Sequence, residues 1–338
     1  MRSILALTMG DVAGVGPEII AKAVVSGEVE SLCVPVVVGD VDHLHRAFEM
    51  LGTRRAIWRI EDPSEVRLDE GGVYVIEVPE VDVKGVRIGC VDSRAGDAAV
   101  KFVQRATKLA ITGRVDGIVT APLNKEAINV AGYRYAGHTE LLADLTGTQS
   151  YRMMLVVEGL RAIHVTAHVA LRAVFNLLTV ERIVETVALS QQAMKSLGVD
   201  MPRIAIAGLN PHSGEGGLFG DEEIRIIGPA VERGQALGWN VTGPIPPDTL
   251  FYRARRGEFD CVVVMYHDQG HIPLKMAGFD RGVNVTLGLP IVRTSPDHGT
   301  AFDIAGKGVA RPESMIEAIR VATQLASFRA GAGKYTNS

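Results

Sequence analysis

Cysteine is scarce in this chain: three residues, Cys33, Cys90 and Cys261, stand far apart with no CxxC pair. An odd, scattered set excludes a disulfide framework and a cysteine zinc cluster, and it fits a reducing compartment, so a cytoplasmic protein is expected. Excess positive charge is also missing. Against 35 Lys and Arg stand 39 Asp and Glu, a net charge of −4, which leaves nothing to neutralise a run of phosphates and makes nucleic acid an unexpected partner. No apolar run reaches the length of a membrane span. The apolar start meets Gly10 and Asp11 before a signal-peptide core could form, so neither export nor a membrane partner is expected. Repeats and low-complexity tracts are absent too, and the 37 glycines gather at strand ends and turns.

What is present is core-forming material: 338 residues, 47% hydrophobic and 22% charged, enough for one large or two ordinary domains. Short β-branched runs alternate with longer helical patterns, the mark of an α/β protein with a largely parallel sheet. Strands are predicted at Ile4–Thr8, Val34–Val38, Gly117–Thr120, 153–157, 163–166, Ile204–Ala207 and 261–265. Helices are predicted over 97–112, where Val100, Val103, Ala106 and Ala110 share a face, and over 180–197, where Ile183, Val187 and Leu189 recur. Residues 50–95 are the least regular stretch. A last helix over 313–328 should lead into a fraying Gly/Ala/Asn/Ser tail.

The segment from Gly10 to Ile19 follows a strand and opens a helix, with Pro17 in a first-turn position. Gly14 and Gly16 supply two glycines of a GxGxxG fingerprint, and Asp40 lies where an acidic ribose ligand would. The third glycine is replaced by Ile19 and Pro17 removes an amide, so a tight strand-to-helix turn is favoured over a pyrophosphate cradle. Histidine placement says more. His168, His212 and His267 each follow a separate strand, an arrangement that can converge on one divalent metal at the mouth of a sheet. His164, inside its strand, reads as a satisfied core histidine or as one that supports a neighbouring metal ligand. His267-Asp268-Gln269-Gly270-His271 imitates the HExxH helix of metallohydrolases, but a strand precedes it and Gly270 interrupts it, so a regular helix is not expected there. Lys275, Asn284 and Arg293 stand among apolar segments, and with His138 and Thr139 they suit an anionic small molecule, Arg forking to a phosphate or carboxylate.

The run Ser295-Pro296-Asp297-His298-Gly299-Thr300-Ala301-Phe302-Asp303-Ile304-Ala305-Gly306-Lys307-Gly308 resembles the cofactor loop of the isocitrate and isopropylmalate dehydrogenases, which bind NAD(P) without a Rossmann domain. Taken with Gly10 to Ile19, Thr120-Ala121-Pro122-Leu123-Asn124-Lys125, Gly137-His138-Thr139-Glu140, Gly208 to Gly217, Pro247-Asp248-Thr249, Tyr266 to Gly270 and Gly282-Val283-Asn284, it resembles the PdxA family, named for 4-hydroxythreonine-4-phosphate dehydrogenase. The resemblance runs from about Ile4 to about Glu313 and is weakest through 50–95. It implies a two-lobed α/β/α fold of the isocitrate/isopropylmalate dehydrogenase kind, with residues 1–128 plus 280–338 as one lobe carrying the NAD loop and 129–279 as the other. It further implies an active site in the cleft and a homodimer whose partner lends residues to it.

By the same resemblance His168, His212 and His267 match metal ligands, one of them donated across the dimer, and His138, Thr139, Lys275, Asn284 and Arg293 match the substrate site. His298, Gly299, Thr300 and Asp303 match the NAD loop, and Asp248 and Lys275 are the candidates for proton transfer. The metal is expected to be zinc, with magnesium, manganese, cobalt and nickel as alternatives. Two departures stand out: Val12 replaces the usual proline, and His271-Ile272-Pro273-Leu274-Lys275 differs from the biosynthetic enzyme, where leucine commonly follows the glycine. The latter form looks like the sister branch that oxidises D-threonate or D-erythronate 4-phosphate.

The reaction so implied is oxidation at C3 with hydride transfer to NAD, then loss of CO₂ from the β-keto acid to give dihydroxyacetone phosphate. Oxidation of 4-phosphohydroxy-L-threonine for pyridoxal phosphate synthesis is the alternative. A metal hydrolase using His267 and His271, and a non-catalytic sugar-phosphate binding protein, are the remaining readings.

Overall fold

A computed structural model describes residues 2–67 and 71–332. The chain forms two compact units, Met1–Gln149 with Leu289–Ser338, and Ser150–Gly288. Both chain crossings come later than at residues 128 and 279, and for the first the reason is packing. The helix opened by His138 buries Leu141 and Leu142 and rests on a long helix of the first unit, which holds His138 and Thr139 there.

The first unit has strands β1 (Ile4–Thr8), β2 (Val34–Val38), β3 (Ile57–Arg59), β4 (Val73–Ile76), β5 (Gly117–Thr120) and β12 (Arg293–Pro296). They lie in the order β3-β4-β2-β1-β5-β12 with every pair parallel. A sheet covered on both faces demands strands apolar throughout rather than alternating. Val34–Val38 is accordingly buried at all five positions. Its helices are α1 (Gly16–Val25), α2 (Glu28–Leu32), α3 (Val41–Met50), α4 (Ser93–Ile111), α5 (Lys125–Val130), α6 (His138–Thr146) and α12 (Glu313–Ala332). The predicted helix over 97–112 starts four residues early because Asp92 caps it, accepting from the Arg94 amide. Ala95, Gly96, Ala98 and Ala99 give α4 a small-residue face. At Gly96 a Cβ would lie 2.2 Å from the Ala127 carbonyl oxygen of α5, so the glycine sets the approach of the two helices.

The second unit has strands β6 (Arg152–Val157), β7 (Leu160–His164), β8 (Ile204–Ala207), β9 (Val241–Ile245), β10 (Cys261–Val264) and β11 (Val283–Leu287), in the order β11-β6-β7-β10-β8-β9. The pairs β7–β10, β10–β8 and β8–β9 are parallel, whereas β6 runs antiparallel to β7 and to β11. Helices α7 (Leu171–Leu177), α8 (Val180–Ser196), α9 (Gly228–Ala236), α10 (Pro247–Arg255) and α11 (His267–Gly278) complete it. Leu155, Ala162, Ala205, Val262, Leu250 and Leu274 form part of one core joining β6, β7, β8 and β10 to α10 and α11. The strand predicted at 163–166 lies at Leu160–His164, and the one predicted at 261–265 ends at Val264. The last helix continues past 328 to Ala332; the tail beyond lies outside the described residues. Among the described residues no helix is long and apolar enough to cross a membrane.

Candidate active site

Three neighbouring parallel strands, β7, β10 and β8, deliver His168, His267 and His212 from their C-terminal ends. That edge is where open α/β sheets build sites. Their exits are tied together. The Val165 amide donates to the Val264 carbonyl at 2.8 Å and Thr166 Oγ1 donates to the Met265 carbonyl at 2.7 Å. Buried Gln269 bridges onward, accepting from the Met265 amide and donating to the Gly208 carbonyl, each at 2.7 Å. The rings of His168 and His267 lie 5.6 Å apart between centroids. His267 Nδ1 is 2.7 Å from Asp268 Oδ1, a carboxylate contact that puts the proton on Nδ1 and leaves Nε2 a lone pair, as a metal ligand requires.

His212 is presented differently. His212, Ser213, Gly214, Glu215 and Gly216 all have positive φ, between 44° and 80°, so three residues bearing a Cβ adopt a conformation that costs roughly 1–2 kcal/mol each. Buried Glu223 holds the turn from beneath. Its Oε1 accepts from the amides of Leu209 and Asn210 at 2.7 Å each, and its Oε2 accepts from Asn210 Nδ2 at 2.9 Å. His212 is thereby exposed at the tip, its ring 6.3 Å from Phe219. Strain so well braced is a mark of a functional turn. Among the described residues no three His, Cys, Asp or Glu side chains of one chain close around a metal.

The HDQGH segment corrects its sequence reading: it is the first turn and a half of α11, and Gly270 does not interrupt it. Gly270 is needed because a Cβ there would lie 2.8 Å from His164 Nε2 and 3.0 Å from Val264 Cγ2. Its absence lets the helix lie close on the sheet. The hydrolase reading gains nothing, because Asp268 is engaged with His267 rather than set to activate a water. His164 is a buried core histidine with Nδ1 3.2 Å from the Met153 carbonyl oxygen. Burial, reinforced by neighbouring His271, pushes its pKa down to about 3.

In the first unit, β12 carries Arg293 and α6 opens with His138 and Thr139. Arg293 is buried and donates from Nη2 to Thr120 Oγ1 at 2.8 Å. Burial lowers its pKa to about 9, and Glu140 offsets only part of that. His138 is held well below the ordinary histidine range by burial and then by Arg293. Its buried Nε2 has no hydrogen-bond partner among the described residues. A buried guanidinium is a group that can fork to an anion with two parallel hydrogen bonds. The second unit carries the other predicted contacts. Lys275 stands on α11 with Nζ 5.5 Å from the Phe279 ring centroid, Asp248 is exposed in the first turn of α10, and Asn284 lies on β11 with its Oδ1 buried.

The segment from Gly10 to Ile19 is a strand-to-helix turn whose amides are already used. Ala13 donates to Asp11 Oδ1, Gly14 to the Asp11 carbonyl, Val15 to the Thr300 carbonyl and Ile19 to the Val15 carbonyl. Those amides are not available to cradle a pyrophosphate. Asp40 caps α3 and bonds His43, so it is not placed as a ribose ligand. The turn instead backs the 298–308 loop: a Cβ on Gly14 would lie 2.9 Å from both the Cβ and the carbonyl oxygen of Thr300. Lys22 and Glu18 of α1 fix the far end of that loop at Gly308 and Ala310. Within the loop His298 Nδ1 lies 2.9 Å from the Gly299 carbonyl oxygen, and Asp303 is exposed. A cavity of about 210 Å³ opens beside these two segments, lined among others by Val12, Gly14, Met50, Ile88 and Gly306.

Asp11 in that turn is fully buried, and its Oδ2 has no hydrogen-bond partner among the described residues. Burial raises its pKa to about 6 against the Ala13 amide that lowers it, with Asp92 raising it further. A carboxyl that binds its proton more tightly folded than unfolded favours the native state at low pH, and this advantage is lost as pH rises from about 4 to about 6. Asn in its place keeps the bond to Ala13 without the charge. Asp11→Asn is expected to match the parent at pH 4 and to exceed it by about 2–3 kcal/mol at pH 8. Urea unfolding at both pH values checks this, and equal differences at the two would refute it.

Sequence reasoning missed Glu223 and Gln269, which reach backbone as far as 14 and 61 residues away, and Asp268 and Asp11, which act on near neighbours. Only Asp268, adjacent to a histidine in a recognisable motif, left a usable signal.

Residues 31–322 match the profile of the family described as pyridoxal phosphate biosynthetic protein PdxA. The D-threonate 4-phosphate dehydrogenase of Pectobacterium atrosepticum is 48% identical, over 96% of this chain and 100% of that protein. The protein of the same name from Salmonella typhimurium is 49% identical, over 95% of this chain and 98% of its own. Among solved structures, one titled 4-hydroxythreonine-4-phosphate dehydrogenase from Klebsiella pneumoniae is 50% identical with a TM-score of 0.88, covering 96% of this chain and 98% of that one.

Proposed function

Since the chain belongs to the PdxA family, we propose that it is an NAD-dependent, divalent-metal-dependent dehydrogenase that oxidises and decarboxylates 4-phospho-D-threonate or 4-phospho-D-erythronate. The carrying observation is the pair His168 and His267, brought from the ends of adjacent parallel strands to 5.6 Å between ring centroids, with His267 oriented by Asp268. Relatives nearly half identical to this chain bear the D-threonate 4-phosphate name, while a solved structure as similar bears the 4-hydroxythreonine name. Their difference at C2, hydroxyl against amine, is what an assay must resolve.

The residues present suit a divalent ion: neutral imidazoles are its common ligands, and His267 is oriented by a carboxylate. His168 and His267 would hold it from one chain and His212 from a second copy. When bound, such an ion supplies positive charge beside the C3 oxygen, where negative charge gathers during both oxidation and decarboxylation. Arg293, with His138 and Thr139, holds the phosphate. The C3 hydroxyl loses its proton to a base, for which Asp248 and Lys275 are the candidates, as the hydrogen on C3 leaves as hydride for NAD and the C3–O bond becomes a carbonyl. The resulting β-keto acid loses CO₂, the electron pair staying on the enolate. Lys275 places a cation for it, and proton return at C2 gives dihydroxyacetone phosphate. His298, Gly299, Thr300 and Asp303 bind NAD on the loop that the first turn supports.

A homodimer belongs to this reading. Exposed apolar residues adjoin each histidine: Val169, Leu171 and Phe175 after His168, Leu218, Phe219 and Ile224 after His212, and Ile272, Met276 and Phe279 after His267. Exposed apolar surface of this kind calls for a covering partner, and a second copy would bring His212 with it. The free, buried thiols of Cys33 and Cys261 suit the cytoplasm.

The test is NADH formation by metal-loaded protein on 4-phospho-D-threonate, 4-phospho-D-erythronate and 4-phosphohydroxy-L-threonine, with and without chelator. Turnover of the hydroxy acids, lost on chelation, is expected. Preference for the amino acid would assign the protein to pyridoxal phosphate synthesis, and silence with all three would overturn the substrate class.

A further inference from the structure

His271 lies one helical turn beyond His267, and their rings stack at 3.7 Å between centroids with an 11° interplanar angle. Its Nδ1 is 3.1 Å from Nε2 of buried His164 and 3.3 Å from the His267 carbonyl oxygen. The protons of this chain follow from its fixed end. His164 Nδ1 faces the Met153 carbonyl, which only accepts, so Nδ1 carries the hydrogen and Nε2 of the neutral ring is an acceptor. His271 Nδ1 must therefore donate to it. On the other side of the stack, His267 donates from Nδ1 to Asp268. Met153 on β6, His164 on β7, His271 and His267 on α11 thus form one continuous line from sheet backbone to the exposed histidine.

We propose that His271 and His164 are positioning residues that fix the ring of His267, its plane by stacking and its reach by the anchored hydrogen bonds. The proposal rests on His267 being a metal ligand. The physical need is plain: imidazole χ2 wells are broad and His267 is about one-third exposed, and of the rings near it His271 is the one stacked face to face, the others lying tilted at 5.6 and 6.2 Å. Gly270 is part of the device, because only a residue without Cβ leaves His164 Nε2 the space beneath the helix. The Gly-His step at 270–271 thereby gains a reason that neither the metal-ligand reading nor the hydrolase reading supplied.

The pair is also all-or-none. Removing His271 takes away the donor that buried His164 Nε2 accepts from, whereas replacing both rings by apolar groups removes that donor and that acceptor together. The test uses chelator-stripped full-length protein carrying His164→Leu, His271→Leu or both. Zinc affinity by titration calorimetry and the thermal midpoint of the metal-free protein are the readouts. Each single variant is expected to lower the midpoint and weaken zinc 10- to 100-fold, the cost of lost outer support at a ligand. The double variant is expected to recover the midpoint and keep the weakened affinity. Recovery of both together, or parental affinity in the single variants, would overturn the positioning role and leave a structural one. Should the single variants not fold, the double variant decides alone. His267→Ala serves as the control: unchanged zinc affinity there would overturn the ligand reading, and this proposal with it.

Discussion

Replacing His267 by alanine is expected to reduce NADH formation at least about a thousandfold while the protein stays folded. The magnitude follows from the role: loss of a single preorganised charge-stabilising contact in an active site costs about 10²–10³ in rate, and a missing ligand removes the metal that provides it. Folding should survive because the ring is part-exposed and outside the core of the second unit, which is built from Leu155, Ala162, Val262 and Leu274 among others. The measurements are steady-state rate, metal content and circular dichroism on one preparation. A variant retaining a tenth of the parental rate would remove His267 from the chemistry. His168→Ala should behave alike, and mixing His168→Ala with His212→Ala chains should restore part of the activity if the two histidines serve one site from different copies.

Arg293→Met is expected to act on binding instead, raising KM for the phosphorylated substrate about 10²- to 10³-fold with kcat changed far less. Charged hydrogen bonds contribute about 1.5–3 kcal/mol each, and a guanidinium can offer two in parallel to one phosphate. Contacts made equally in ground and transition states appear in KM. Arg293 is buried and donates to Thr120 Oγ1, so its exchange for an apolar chain of similar length is followed for stability as well as for binding. Initial-rate kinetics over a wide substrate range, with an unfolding curve, separate the two effects. A KM within threefold of the parent would place the phosphate elsewhere.

Much of the site was legible in the chain because the relevant signals are local. A β-branched run followed by a histidine says that the histidine leaves the end of a strand, and this held for His168, His212 and His267. The partial GxGxxG was rightly read as a turn, since Pro17 and Ile19 are visible defects. The HDQGH segment was misread because glycine argues against helix by intrinsic propensity. What Gly270 contributes, room for a histidine from β7, is written 106 residues earlier at His164.

By itself, then, the sequence determined the alternation of strands and helices, the apolar strands that a twice-covered sheet requires, and which histidines leave the ends of strands. Each follows from periodicity or side-chain chemistry within a short window. Only the tertiary structure decided that β10 lies between β7 and β8, which sets the three histidine loops side by side. It alone placed Glu223 under the left-handed turn at His212 and buried the Asp11 carboxyl beneath residues from elsewhere in the chain. These are properties of pairs distant in sequence, fixed by strand order and close packing, and no local pattern records which buried atom will face which.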